Sequence, residues 1–364
     1  MKRIFIAVIT IILAGIAGAD ELKPTTRSFY MGFTRWPADM TIAGILTSKD
    51  FCDRHGDILE VMFNGGIPWP EALANKPYSK SVKEKMNNRR PNGQKLFLAI
   101  SPLNMDRKAM ALYWGEKENM PLPREWQQAA FNSPEVKKAY LNFVMQAVEA
   151  MKPDYLAIGV ENNLLLSSSP EKWRELAELH RETYSAVKAK YPQLPVFFTT
   201  AIVHYLGLAP EAKKNVQENE VGALMKYSDI FAMSFYPHLC NKVPRPLPDN
   251  FFDFARKFNK PIAVSESGDS SQDVKLKAYG ITLKGSEENQ RQFTEMLLRT
   301  ATKDRYAFVI TFATTDYEKL CQRLPSPACD LARMWAYTGM QTSERKPKPA
   351  LAVWDTYLRA SKTP

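Results

Sequence analysis

Residues 154–163 read DYLAIGVENN, a stretch that runs from a breaker through a short strand to a carboxylate. Pro153 interrupts what precedes, and Tyr155, Leu156, Ala157 and Ile158 form an apolar run of the kind buried on both faces of a parallel sheet. Glu161 then falls at the carboxyl end of that strand. Residues 261–268, PIAVSESG, repeat the plan: a proline, an apolar run and Glu266 at its end. Two glutamates, delivered to strand ends by two different strands, are the pair that cleavage of a glycosidic bond requires.

Outward from these two stretches the same unit recurs. Residues 28–36 (SFYMGFTRW) read as the first strand, residues 57–63 (DILEVMF) as the second and residues 95–101 (KLFLAIS) as the third. After the Glu161 strand come residues 195–200 (PVFFTT), 229–235 (DIFAMSF), the Glu266 strand and residues 307–312 (AFVITF), which end in Phe312. Helices are expected between them over residues 41–54, from Ser133-Pro134-Glu135 onward, from Ser169-Pro170-Glu171 onward, and over 209–227, 286–303 and 349–360. In both Ser-Pro-Glu runs serine reads as the cap and proline as the first turn. Val136, Tyr140, Phe143, Val144, Ala147, Val148 and Met151 keep helical spacing, which predicts one buried face.

Eight apolar strands alternating with helices indicate a parallel sheet covered on its outer side. The fold class is therefore α/β, and a closed (β/α)8 TIM barrel is favoured over an open doubly wound sheet. The count is eight, and candidate site residues recur at many strand ends, whereas an open sheet gathers its site at one switch point. Neither a GxGxxG motif nor a phosphate-binding loop is present. Hydrophobic residues at 45% and aromatics at 11% are ample for one large core.

Several side chains follow strand ends and are candidates for holding a sugar. Trp36 and Trp69 each stand beside a proline, and aromatic faces stack well on the apolar faces of sugar rings. Asn104 opens a long insertion, residues 102–132, of the kind that shapes binding sites. Asn162, His204, Tyr236, His238 and Phe312 complete the set. Of the four histidines, His55 and His180 read as helical or loop-surface residues, so a histidine-rich metal centre is not expected, and the chemistry needs no metal or other cofactor.

Residues 1–19 read as a signal peptide: a basic Met1-Lys2-Arg3, an apolar run over 4–16 and small residues at 17–19. Cleavage after Ala19 leaves residues 20–364 as one catalytic domain, exported to the periplasm or secreted, with no membrane anchor. Removing Lys2 and Arg3 leaves the formal charge at +8 rather than +10, a balance compatible with acidic polymers such as charged polysaccharide. No dense basic run with interleaved aromatics suggests nucleic acid. The expected partner is a carbohydrate substrate, and the sequence names no protein partner. Cys52, Cys240, Cys321 and Cys329 would meet an oxidising compartment, and Cys321 with Cys329 is the expected disulfide, pairing of Cys240 with one of them being the alternative.

The ordered set of motifs resembles the retaining glycoside hydrolases of clan A, barrels with a glutamate acid/base ending strand four and a glutamate nucleophile ending strand seven. The resemblance places those roles on Glu161 and Glu266, and puts Tyr236 of SFYPH where such enzymes orient the nucleophile. Within the clan the chain looks most like the endo-β-1,4-galactanase family and related exported barrels, through YMGFTRWP at residues 30–37, NGGIPW at 64–69 and KPKPALAVWDTYL at 346–358. The family pattern has asparagine directly before the acid/base, contacting the sugar 2-hydroxyl; here Val160 stands there, with Asn162 or Asn163 as substitutes from the other side. The expected activity is retaining β-glycoside hydrolysis by double displacement. A carbohydrate-binding barrel without turnover is the alternative that Val160 motivates.

Overall fold

The computed structural model describes residues 24–39, 41–87, 90–91, 93–277, 280–321, 329 and 332–363. The signal sequence expected over residues 1–19 lies outside the described residues. Nine parallel strands follow in chain order: β1 (Tyr30–Phe33), β2 (Ile58–Phe63), β3 (Lys95–Ile100), β4 (Tyr155–Ala157), β5 (Val196–Phe197), β6 (Thr199–Ala201), β7 (Phe231–Phe235), β8 (Ile262–Ser267) and β9 (Phe308–Thr311). They form one sheet in the spatial order β5, β4, β3, β2, β1, β9, β8, β7, β6.

The two ends of that order are consecutive in sequence. β5 pairs with β4 through Leu156 and Val196, β6 pairs with β7 through Thr199 and Ala232, and only Phe198 separates them. One interrupted strand thus changes partner midway and brings the ring nearly to closure, which is consistent with a (β/α)8 barrel.

Alternation along each strand sorts the side chains. Ile58, Phe97, Ala99, Ala157, Phe197, Ala232, Ala263, Phe308 and Ile310 form an apolar filling inside the ring. Their neighbours in sequence, among them Leu59, Leu96, Leu98, Leu156, Val196 and Met233, belong to the larger core beneath the helices. Inside, Phe308 lies 5.0 Å from Phe97 and 6.1 Å from Phe197, ring centre to ring centre, so three large rings fill space left by the alanines. Gly32 faces the same space, and a Cβ there would come within 2.2 Å of the Ile58 carbonyl, so β1 and β2 approach only because residue 32 has no side chain.

The outer helices include α1 (Ile42–His55), α2 (Pro134–Met151), α3 (Pro170–Lys190), α4 (Lys214–Leu224), α5 (Glu287–Lys303) and α6 (Pro349–Arg359). Thr41, Ser133 and Ser286 cap their helices by accepting from backbone amides three residues on. Ser169 does not: its hydroxyl turns to the Glu171 carboxylate, so the second Ser-Pro-Glu run starts a helix without a side-chain cap. His180 is helical, and only its burial departs from the sequence reading. It lies on the inner face of α3, fully buried, with Nε2 2.7 Å from the Tyr227 carbonyl, and burial pushes it down to about 4. Its neighbours 176, 179, 183 and 187 carry the buried stripe, and position 180 falls within it.

All four cysteines are free thiols in this structure, so the disulfide expected between Cys321 and Cys329 is not formed. Both are buried in one small cluster with Tyr317, Leu320 and Ala336, and burial with the neighbouring Cys329 pushes Cys321 up to about 11. Among the described residues no helix is long and apolar enough to cross a membrane. Beneath the ring, at the amino ends of the strands, Thr26–Arg27 pairs in parallel with Ser361–Lys362.

Candidate active site

Glu161 follows β4 at a backbone φ of +51°, a left-handed conformation that costs a non-glycine residue about 1–3 kcal/mol. β6 holds it there. The Thr199 hydroxyl accepts from the Glu161 amide at 2.8 Å, and the Thr199 carbonyl accepts from Asn162 at 3.2 Å. The carboxylate accepts from the Ser234 hydroxyl at 2.7 Å and lies 3.4 Å from Nε of Arg107. Ser234 belongs to β7, and Arg107 to the insertion after β3, so two separate segments meet at the carboxylate while β6 fixes the backbone.

Glu266 lies on β8, and the Tyr236 hydroxyl donates to its Oε1 at 2.7 Å. Gly268 allows β8 to pass the end of β9, since a Cβ there would stand 2.4 Å from the Phe312 carbonyl. Burial, then the charge of Glu161, pushes Glu266 up to about 7, against the opposing pull of the Tyr236 hydrogen bond and Arg107. Desolvation outweighs one hydroxyl donor here. Burial and the negative charges of Glu266, Glu161 and Glu60 likewise raise Tyr236 well above the ordinary phenol range, so it remains a donor.

A third carboxyl belongs to this mouth. Glu60, on β2, takes a hydrogen bond of 2.5 Å from the Thr34 hydroxyl, while its Oε1 is buried without a partner. Burial first, and Glu266 second, push it up to about 8. The alternation of β2 contained the signal: in DILEVMF the acid takes the same inward parity as Ile58. Ser234 was also within reach of the sequence, two residues before Tyr236. Arg107 was not, because its place depends on how a long insertion folds back.

The other sequence candidates divide. Trp36 and Phe312 come together at the ends of β1 and β9, each 5.9 Å from the other and from Tyr317, whose phenol feels Glu266. Their half-buried rings form one wall. His204 stands beyond β6, half-buried, with Nε2 2.8 Å from Glu211. Trp69 is no platform: it is fully buried, stacked 5.5 Å from Trp126, with its indole donating to the Ala111 carbonyl at 2.9 Å. The insertion folds over it and withdraws it from any ligand. His238 is also buried, Nε2 lying 3.0 Å from the Met334 carbonyl and Nδ1 3.5 Å from Asp269.

Asn104 shapes backbone instead of facing a cleft, its Oδ1 accepting from the amides of Lys108 and Ala109, both at 3.1 Å. Asn162 is fully buried, its side-chain amide against Gly159 and without a hydrogen-bond partner. Asn163 is spent on Ala201 and Gln217. Val160 packs inside the ring with Ala157, Phe197 and Ala232. Among the described residues no group of three or more histidine, cysteine, aspartate or glutamate side chains could hold a metal ion.

Comparison with known proteins agrees with this architecture. Residues 113–304, just over half the chain, match the model of glycosyl hydrolase family 53. A fungal β-1,4-galactanase structure is 14% identical, with a TM-score of 0.52 over 84% of this chain and 89% of that one. The GH5_18 protein of Streptomyces cattleya, solved with GlcNAc, is 13% identical, with a TM-score of 0.59 over 93% and 83%. The exo-β-1,4-mannosidase Op5Man5 of an Opitutaceae bacterium is 13% identical, with a TM-score of 0.55 over 92% and 60%. At these identities the three structures establish a shared fold. No curated protein matches the sequence.

Proposed function

This chain belongs to glycosyl hydrolase family 53, and from that membership we propose that it cleaves a β-linked oligo- or polysaccharide with retention, Glu266 acting as nucleophile and Glu161 as acid/base. The observation that carries the reading is that β4 and β8 bring two carboxyls to one mouth, near enough for the charge of Glu161 to raise Glu266. Glu161 protonates the leaving oxygen, Glu266 attacks the anomeric carbon, and Glu161 then takes a proton from the water that releases the sugar. Tyr236 holds one oxygen of Glu266 and leaves the other to attack. Trp36 and Phe312 offer the sugar an aromatic wall. β-1,4-Galactan is the first substrate to try, because the family model and a galactanase structure point the same way.

The test separates the two roles. Glu266→Ala should abolish turnover of every substrate, since no covalent intermediate can form. Glu161→Ala should still form the intermediate from a dinitrophenyl glycoside, which needs no proton on its leaving group, and azide should release it as a β-glycosyl azide. If both variants are equally dead on the activated substrate with azide present, Glu161 is not the acid/base.

The protein is further proposed to act after export, with residues 1–19 removed and Cys321 joined to Cys329 by oxidation. The apolar run at residues 4–16 and the shared burial of the two thiols support this. Mass spectrometry of protein from culture fractions should find Asp20 at the amino terminus and a peptide cross-linked through both cysteines. A chain retained in the cytoplasm with Met1 in place would contradict it.

A further inference from the structure

Arg107 is 5% exposed, yet Nε of its guanidinium makes no hydrogen bond. Nη1 donates to the Asn104 carbonyl at 3.0 Å, and among the described residues the acid paired with the group is Glu161, at 3.4 Å. The residue is presented by a tight turn. Its own φ is +59°, its amide donates to the Asn104 carbonyl at 3.0 Å, and Leu103 bridges Met110 across the base. Nε is thus ion-paired to Glu161 without a hydrogen bond, and a buried guanidinium held so loosely is costly unless something completes it.

The pairing also conflicts with the chemistry proposed above, on which this inference rests. An ion pair with Arg107 uses the carboxylate form of Glu161, whereas the first step of cleavage uses its acid form. The two glutamates need one proton between them, and they need it on Glu161. A ligand that draws Arg107 away frees Glu161 from the ion pair and leaves it able to serve as the acid. A neutral hydroxyl competes poorly with a carboxylate for guanidinium, while an anion competes well and fits its planar fork. Glu161, as acid, faces the leaving oxygen, so the anion would lie on the leaving-group side.

The geometry points to Arg107 as the receptor for an anionic group, a uronate carboxylate or a sulfate ester, on the sugar that departs. The substrate is then a β-glycan with an acidic residue next to the cleaved bond on its leaving side.

Matched substrates test this. Methylumbelliferyl, carboxyumbelliferyl and sulfoumbelliferyl β-1,4-galactobiosides present the same sugar with neutral, carboxylate and sulfonate leaving groups. The wild type should prefer at least one anionic form over the neutral one by tenfold or more in kcat/KM. That preference should fall to near unity in Arg107→Met and be partly kept in Arg107→Lys, which retains charge without the fork. Which anionic form wins separates uronate from sulfate. Equal losses on neutral and anionic substrates, or no preference in the wild type, would overturn the assignment. Should no galactobioside be cleaved, the hydrolytic reading fails for that sugar, and calorimetry with glucuronate, glucose 6-sulfate and glucose decides Arg107 alone. Anion-selective binding lost in Arg107→Met supports it, and wild type that binds none of the three overturns it. If Arg107→Met does not fold, Arg107→Gln, which also removes the charge, gives the same two readouts.

Discussion

Glu60 shows how one side chain can tie the stability of the barrel to pH. Its carboxyl is pushed up to about 8, so the folded protein holds a proton there that the unfolded chain has released from about pH 4.5 upward. A raised carboxyl favours folding least where it must ionise inside, so its contribution is intact below about pH 4.5 and is lost as pH rises toward 8. Glu60→Gln keeps the shape and removes the charge. It should melt close to wild type at pH 5 and above wild type at pH 9, by an amount on the order of a few kcal/mol. Parallel melting curves at the two pH values would show that Glu60 ionises freely, against its burial.

Among the elements, the turn at residues 104–109 carries the most consequence for its size, because it decides where Arg107 points. Asn104 is its keystone, taking two backbone amides on one oxygen. Asn104→Ala should speed amide exchange at Lys108 and Ala109 and lower stability by roughly 1–2 kcal/mol, the worth of two exposed or half-buried hydrogen bonds. Unchanged exchange at both amides would mean the Leu103 to Met110 bridge holds the turn unaided. Such local detail explains what the sequence disclosed and what it withheld. β2 and β3 fall within a residue of their expected limits, since an apolar run between breakers needs only itself to be read. The strand-end places of Glu161, Glu266 and Tyr236 were legible because strand ends are local features. The break at Phe198 was not, since it exists only where a strand must serve two neighbours. Trp69 misled for a related reason: a tryptophan beside a turn looks the same whether a sugar or Trp126 covers it, and the covering residue is 57 positions away.

At the scale of the whole molecule, the ring brings Glu161 and Glu266 to one end, while the pairing of Thr26–Arg27 with Ser361–Lys362 gathers the two tails at the other. The Ser361 amide donates to the Thr25 carbonyl at 3.0 Å, and the Thr363 amide to the Arg27 carbonyl at 2.8 Å, so the tails lie side by side. The order in which the segments are made is therefore separable from the shape they adopt. A short glycine and serine linker joining residue 363 to residue 25, with new ends cut between the exposed Pro192 and Gln193 on the connection from α3 to β5, should give a circular permutant. Both edits fall away from Glu161 and Glu266. The permutant should keep the parent's rate on any substrate the parent cleaves and melt within a few degrees of it, and a permutant that stays unfolded would show that assembly depends on starting at β1.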